Sequence, residues 1–251
     1  LAAGEIASFG LTEPGSGSDS AAMATTAVRS GNGYVLNGTK RYITNAPFAK
    51  MALIMARTSK ETLAKNAHVS AFLVPLDTPG ITRGKSDKKM GQSGSHIGDI
   101  IMEDVHVPGD ALLGGEEGKG FAIAMQSLDN GRLSVGAAAT AYARRILDTA
   151  TRYATERKAF GEPIAQFQLI QAMLADSQAE IYASECMMRD AIAKADRGER
   201  ILMEAASFKM FASEMCGRVA DRCVQIHGGA GYLAEYAAER FFRDSRIYRI
   251  Y

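Results

Sequence analysis

The spacing of apolar residues changes once along this 251-residue chain, from short runs to long stripes of helical period. Short runs rich in Val, Ile and Leu, bounded by turn residues, predict strands over Thr25–Arg29, Tyr34–Asn37, Lys40–Thr44, Met51–Arg57, Val69–Leu76 and Ile100–Val107. Ser30-Gly31-Asn32-Gly33 supplies the positive-φ residues that a tight hairpin turn wants. Thr58–Ala67 and Lys85–Gly98 read as polar loops, and Asp77-Thr78-Pro79-Gly80 as a turn. After the glycine-rich linker Gly114–Gly120 the period becomes that of a helix. Phe121–Leu128 opens the helical part, and Ser134–Thr155 continues it with Ile146, Leu147, Ala150, Tyr153 and Ala154 on one stripe. A second stripe runs from Phe167 to Ala195, and a third carries Ala205, Phe208, Ala212, Met215, Val219, Cys223 and Ile226. Gly228-Gly229-Ala230-Gly231 then interrupts, and a shorter helix holds Phe241, Phe242 and Ile247. The pattern predicts an α+β chain: a β-barrel-like, mostly antiparallel domain over residues 1–112, then an antiparallel four-helix bundle over residues 113–251.

Composition narrows the function. Lys plus Arg number 29 and Asp plus Glu 28, so no global charge draws the chain to nucleic acid or an anionic membrane. Any anionic ligand is held by local groups. No run of about 20 apolar residues is present, so no membrane span is expected. The three cysteines Cys186, Cys216 and Cys223 form no metal-like cluster, and Cys216 and Cys223 share a helix face as small buried hydrophobes. The opening Leu-Ala-Ala-Gly-Glu is neither a signal peptide nor a Met start, and the chain is expected to begin inside a longer protein.

Four patches are not explained by core packing. Phe9-Gly-Leu-Thr-Glu-Pro-Gly-Ser-Gly-Ser-Asp19 combines apolar Phe9 and Leu11 with hydroxyls at Thr12, Ser16 and Ser18, and with Gly15 and Gly17, where a ligand can approach the backbone. No Lys follows the glycines, so it is not a P-loop, nor does it have the spacing of a dinucleotide fingerprint. In Arg41-Tyr42-Ile43-Thr44-Asn45 a ring and a hydroxyl stand two apart on one strand face. Glu156–Ile164, with Phe167-Gln168 after it, puts Arg157 and Lys158 at a helix C-terminus. Gln225–Tyr232 is a glycine-rich joint whose N–H groups suit an anion. Taken singly, these read equally well as a surface turn, sheet packing, dipole stabilisation and a tight joint.

Taken together, they resemble the acyl-CoA dehydrogenase family. Its first signature matches Gly10-Leu11-Thr12-Glu13 through Gly17-Ser18-Asp19; its second matches Gln225, Gly228-Gly229, Gly231-Tyr232, Glu235 and Arg240 to Asp244. The Tyr42–Asn45, Glu156–Gly161 and Arg243–Tyr248 blocks stand in family order, so the resemblance covers the whole chain. It implies FAD and a middle β-domain followed by a C-terminal helical domain. The family's N-terminal helical domain, and the end of the last helix, are expected to lie outside this chain. Phe9, Leu11, Thr12, Gly17 and Ser18 would then surround the flavin and its pyrophosphate arm, and Tyr42, Ile43 and Thr44 the other side, with Tyr42 where many members have Trp. Arg157, Phe160 and Gln168, with Gln225, Gly228 and Gly229, would reach the FAD of a neighbouring subunit in a homotetramer built as a dimer of dimers. Ser18, Asp129, Arg132 and Tyr251 match acyl-CoA contacts.

The implied reaction is α,β-dehydrogenation of an acyl-CoA thioester to a trans-2-enoyl-CoA, with electrons passed to an electron-transfer flavoprotein in a bacterial cytoplasm or a mitochondrial matrix. The carboxylate base is expected immediately after Tyr251; the minority position, matching Gly131, carries no acid. Glu13, Glu235 and Glu239 are taken as signature or surface positions. The chain as it stands is therefore expected to be inactive alone. Ser93, where many relatives have Arg, lies in a loop that faces the substrate thiol end in the family, and the reading leans to a short or branched acyl chain. Alternatives are a flavin oxidase or monooxygenase on the same scaffold, or a non-catalytic scaffold homologue.

Overall fold

The apolar runs of the first hundred-odd residues hydrogen-bond into one seven-stranded sheet in the computed structural model, which describes residues 4–251. Its strands are β1 (Ala7–Gly10), β2 (Thr26–Ser30), β3 (Gly33–Thr44), β4 (Met51–Arg57), β5 (Val69–Pro75), β6 (Ile81–Arg83) and β7 (Ile97–Pro108). Their spatial order is β1-β4-β2-β3-β7-β6, with β5 along the other edge of β4. They belong to a unit that runs to Lys89 and from Ser93 to Ser127; a second unit comprises Met90–Gln92 and Leu128–Tyr251. Two apolar clusters fill the first unit. One centres on Leu36, Ile54, Phe72 and Ile100, all fully buried, and the other joins Leu11, Met23, Met55 and Val69 to Ala124.

The α+β class holds, with four differences in detail. Tyr34–Asn37 and Lys40–Thr44 are one 12-residue strand, β3, whose pairing with β7 slips between Leu36 and Gly38 and again between Lys40 and Ile43. β1 and β6 are additional, and β1 runs parallel to β4, as does the single bridge from β2 at Thr26 to Arg57. β1 is four residues long and β6 three, too short to show a period. The fourth difference is in the helices. The expected pieces Phe121–Leu128 and Ser134–Thr155 form a single α1 (Gly120–Glu156). Gly131 within it costs only about 1 kcal/mol relative to Ala, which 37 residues of helix readily absorb.

In the second unit, α1 from Leu128 onward packs with α2 (Gln168–Asp196), α3 (Leu202–His227) and the short α4 (Ala237–Ser245). Two further strands, β8 (Lys158–Ala159) and β9 (Glu162–Pro163), form a hairpin between α1 and α2. The helical stripes are the core: Ile146, Ile181, Phe208 and Met215 are fully buried. Each such side chain contributes about 1.5–3 kcal/mol.

One ion pair lies in the interior of the first unit. Glu13, which sequence reasoning places with the signature or surface positions, is only 6% exposed. Lys40 is not exposed at all, and its Nζ donates to Glu13 Oε1 at 2.6 Å and to the Leu11 carbonyl at 3.3 Å. Glu13 also accepts from the Ala24 N–H at 2.6 Å and the Thr25 N–H at 3.1 Å. Burial works against the carboxylate, but the Lys40 charge and these hydrogen bonds outweigh it and hold Glu13 below its ordinary 4.5. Glu235 is exposed, and Glu239 pairs with Arg243 at 2.6 Å.

Lys40→Met leaves a buried carboxylate without its cation and is expected to cost about 3–5 kcal/mol. Glu13→Gln combined with Lys40→Met should recover most of that. Urea unfolding midpoints of the three proteins check it, and a single-variant loss within the roughly 1 kcal/mol of a surface pair would refute the role. Because the folded carboxylate titrates low, its contribution is fully present above pH 4.5 and is lost as pH falls through the folded value.

Candidate functional site

The Phe9–Asp19 loop is shaped by its own backbone. Glu13 and Ser16 exchange hydrogen bonds, N–H to carbonyl at 2.9 and 3.2 Å, which turns Pro14 and Gly15 out into solvent. Ser16 Oγ donates to the Asp19 carbonyl at 2.6 Å. Leu11 is buried in the core, Phe9 and Thr12 are half-buried, and Gly17 and Ser18 are exposed. The N–H groups of Gly17 and Ser18 make no hydrogen bond within the described residues.

Strand β3 brings the second patch to this loop. Arg41 N–H donates to the Thr12 carbonyl at 2.9 Å, Ser8 Oγ to the Thr44 carbonyl at 2.8 Å, and Asn45 Nδ2 to the Ala7 carbonyl at 3.3 Å. Between them the register with β7 slips, since Lys40 pairs Ile100 while Ile43 pairs Gly98. The slip forces Tyr42 to a φ of 58°, a left-handed conformation rare for an aromatic residue and costing about 1–3 kcal/mol. A bulge re-aims side chains: Tyr42 is 58% exposed with the Arg41 guanidinium 5.1 Å from its ring centre, Thr44 is exposed, and Ile43 is buried between them. These bonds join the Tyr42 bulge to the strand and loop that carry Phe9 and Thr12, while Leu11 and Ile43 turn into the core. The open N–H groups, free hydroxyls and presented ring suit a ligand with a flat face and polar edges.

The second unit gathers other expected residues around two helix ends. α1 stops at Glu156, and the β8–β9 turn takes positive φ at both Phe160 (55°) and Gly161 (90°). Phe160 is 96% exposed, with Phe167 edge-on at 6.0 Å and Gln168 exposed at the start of α2. α3 ends on Gly228, whose φ of 59° and ψ of −137° only glycine tolerates comfortably; its N–H caps the Gln225 carbonyl. Gln225 and Gly229 are exposed beside it. A cleft of about 410 Å³ is lined by Tyr153, Arg157, Ile164, Tyr236 and the run from Ile226 to Ala230. Among the described residues no carboxylate lies within ion-pair distance of Arg157.

Sequence reasoning missed the floor of this cleft. His227 stacks on Tyr153 with centroids 4.0 Å apart, and its Nδ1 sits 2.8 Å from the Cys223 carbonyl. Nδ1 therefore carries the hydrogen and Nε2 is an acceptor. Burial lowers the His227 pKa from 6.5, the carbonyl opposing. The signal was a histidine in the last turn of an apolar stripe, one residue before a glycine, which suggests capping as readily as stacking.

Of the expected acyl-CoA contacts, Asp129 and Arg132 pair with each other one turn apart on α1. Tyr251 is 53% exposed and lies edge-on to Tyr248 at 6.2 Å. Among the described residues no cluster of His, Cys, Asp or Glu suits a metal ion, and no helix is long and apolar enough to cross a membrane.

Comparison with known proteins fits both units. The family model of the acyl-CoA dehydrogenase middle domain matches residues 8–105, and that of the acyl-CoA dehydrogenase C-terminal domain matches residues 118–251. The chain belongs to the acyl-CoA dehydrogenase family, whose members are FAD-dependent flavoproteins. It is 45% identical to the caffeyl-CoA reductase–Etf complex subunit CarC of Acetobacterium woodii, over 97% of this chain and 63% of that protein. It is 43% identical to the human mitochondrial short-chain specific acyl-CoA dehydrogenase, over 98% of this chain and 59% of that one. Among solved structures, butyryl-CoA dehydrogenase of Megasphaera elsdenii superposes with a TM-score of 0.93 at 40% identity, covering 98% of this chain and 64% of that one. The chain spans about three fifths of the length of these curated relatives.

Because His227 is held neutral in the fold, the unfolded state binds more protons just below pH 6.5. Its contribution to stability is complete above pH 6.5 and declines as pH falls through the folded value. His227→Gln is expected to flatten that slope. Urea midpoints measured from pH 5 to 8, the span over which an ordinary histidine changes charge, check this; an unchanged slope would place the titration elsewhere.

Proposed function

We propose that this chain is the flavin-holding part of an FAD-dependent acyl-CoA dehydrogenase. The enzyme converts a short or branched acyl-CoA to its trans-2-enoyl-CoA and passes the electrons to an electron-transfer flavoprotein. The observation that carries the reading is the Tyr42 bulge, tied by hydrogen bonds to a loop whose exposed part has hydroxyls and N–H groups without a bond. Such a set fits an isoalloxazine and its phosphate arm. The similarity to butyryl-CoA and short-chain specific dehydrogenases supports a short substrate.

When bound, FAD supplies the hydride acceptor at the β carbon. The chain's own part is binding and orientation. Tyr42 would offer its ring, and Thr44, Thr12 and Ser18 their hydroxyls, to hold FAD. Arg157, Phe160, Gln168, Gln225, Gly228 and Gly229 serve the FAD of a neighbouring subunit in a homotetramer, where the unpaired Arg157 fork suits a pyrophosphate. Ser18, Asp129, Arg132 and Tyr251 line the acyl-CoA. The α proton would pass to a carboxylate base, which none of the residues named above supplies.

The test is anaerobic addition of a panel of acyl-CoA thioesters to the full-length flavoprotein, followed in the visible flavin band. One short thioester is expected to bleach it. Bound flavin that none bleaches would overturn the dehydrogenase reading in favour of an oxidase or monooxygenase, and a colourless protein would favour a scaffold. In the same full-length protein, Arg157→Gln removes a charge-assisted hydrogen bond of about 1.5–3 kcal/mol. Its FAD is expected to dissociate at roughly 10 to 100 times the wild-type Kd, measured by equilibrium dialysis. Unchanged affinity would remove Arg157 from the site.

A further inference from the structure

The tip of the long Lys85–Gly98 loop is occupied with something other than its own strands. Met90–Gln92 belongs to the helical unit, where it lies on the C-terminal end of α4. A Cβ added at Gly91 would stand 2.5 Å from the Arg243 carbonyl oxygen and 2.8 Å from Asp244 Cα, so only glycine fits against that backbone. Next to it Gln92 takes a φ of 49°, unusual for a residue with a side chain. Its N–H donates to Asp244 Oδ1, and its Nε2 donates to the Asp244 carbonyl at 3.3 Å. On the other side, Arg243 Nη1 donates to the Met90 carbonyl at 2.8 Å, while Glu239 holds the same guanidinium at 2.6 and 2.9 Å. The second oxygen of Asp244 accepts from the Tyr142 hydroxyl at 3.4 Å.

The chain beyond Asp244 rests on the same group of residues. The Tyr142 ring meets Phe241 at 5.5 Å and Tyr248 at 6.2 Å, and Tyr248 meets Tyr251 at 6.2 Å, all edge-on. Residues 246–249 form a single 3-10 turn, and the N–H groups of Ile250 and Tyr251 both return to the Ile247 carbonyl. A short turn holds no fixed direction by itself. Its direction here comes from the aromatic stack around Tyr142, whose hydroxyl ends on Asp244, and from Arg249, which pairs with Glu214 of α3 at 2.9 Å. The loop tip supplies the other oxygen of that carboxylate with its hydrogen bond.

We propose that Met90-Gly91-Gln92, Asp244 and Tyr142 form a clamp that positions the 246–251 segment and, with it, Tyr251, which the reading above sets against the acyl-CoA. The proposal rests on the dehydrogenase reading above. Asp244, Gln92 and Tyr142 are positioning residues: they act on the acyl-CoA only through the segment they hold. The strained Gln92 backbone and the glycine-only contact at Gly91 are what such a docked tip requires, and neither serves the sheet.

Two readouts on the full-length, flavin-loaded protein separate the parts of this inference. Asp244→Asn and the milder Tyr142→Phe are compared with wild type by hydrogen exchange of residues 246–251 and by the rate of anaerobic flavin reduction at saturating acyl-CoA. Both variants should exchange faster over 246–251 while keeping flavin content and melting temperature, and reduction should slow by about tenfold or more. An ångström of misplacement can cost about a hundredfold. The KM is expected to rise as well, since Tyr251 lines the acyl-CoA and its placement depends on the clamp. Unchanged exchange would overturn the clamp, and faster exchange with an unchanged reduction rate would overturn its positioning role. A wild-type protein that no thioester reduces overturns the dehydrogenase reading instead, and exchange still decides whether the clamp exists.

Discussion

The first unit depends on a carboxylate and an ammonium that water does not reach. Removing two charges from solvent costs several kcal/mol per ion, and a good partner only repays this when the remaining lone pairs and protons are also satisfied. Here they are. Glu13 takes Lys40 and the N–H groups of Ala24 and Thr25, and Lys40 spends a second proton on the Leu11 carbonyl. The pair therefore does something an apolar contact of equal volume would not. It fixes three separate stretches of chain, 11–13, 24–25 and the middle of β3, at one point and in one register. A hydrophobic contact would let them slide; directional bonds to a buried charge do not.

What that register determines is the position of Tyr42. Lys40 is the last residue of β3 paired in the regular ladder before the slip, and its side chain faces inward to Glu13. With Lys40 held and Ile43 drawn into the core, the two residues between them must absorb the extra length. Arg41 does so by bonding to the Thr12 carbonyl, and Tyr42 by turning into the left-handed region. A strain of about 1–3 kcal/mol persists only where its surroundings over-determine it, and here the ion pair lies on one side and a buried isoleucine on the other. The same constraint that bends the strand presents the ring to solvent beside the hydroxyls of the loop.

The long apolar stripes of α2 and α3 were legible in the sequence because a helix writes its period over many turns. The main strands were legible too, as β-branched runs between turn residues. The site's outline was legible as odd chemistry: glycines and hydroxyls where packing needs neither, and a glycine-rich joint after a helix. Other features were hidden. β1 and β6 are too short to carry a period and are defined by the neighbours they pair with. The continuity of α1 through Gly131 was hidden because local signals mark a break that tertiary packing overrides. Glu13 and Lys40 were hidden for a deeper reason. Residue type alone places charged groups outside, and only the meeting of residues 27 positions apart shows that each makes the other's burial tolerable.

The second unit reaches a comparable openness without a buried charge. α3 closes on Gly228, and its last turn is held from behind by the Tyr153–His227 stack. Burial keeps that imidazole neutral, so the stack adds no positive charge to the cleft above it. The cation there is Arg157, exposed and, among the described residues, without a carboxylate in ion-pair distance. In a chain whose net charge is only +1, attraction for an anion has to come from such local imbalance. A neutral aromatic floor, a glycine joint with bare backbone and one unneutralised guanidinium supply it without disturbing the charge balance of the rest. The two units thus solve one problem in opposite ways: the first buries an ion pair to bend a strand outward, and the second leaves a cation unpaired where two helices end.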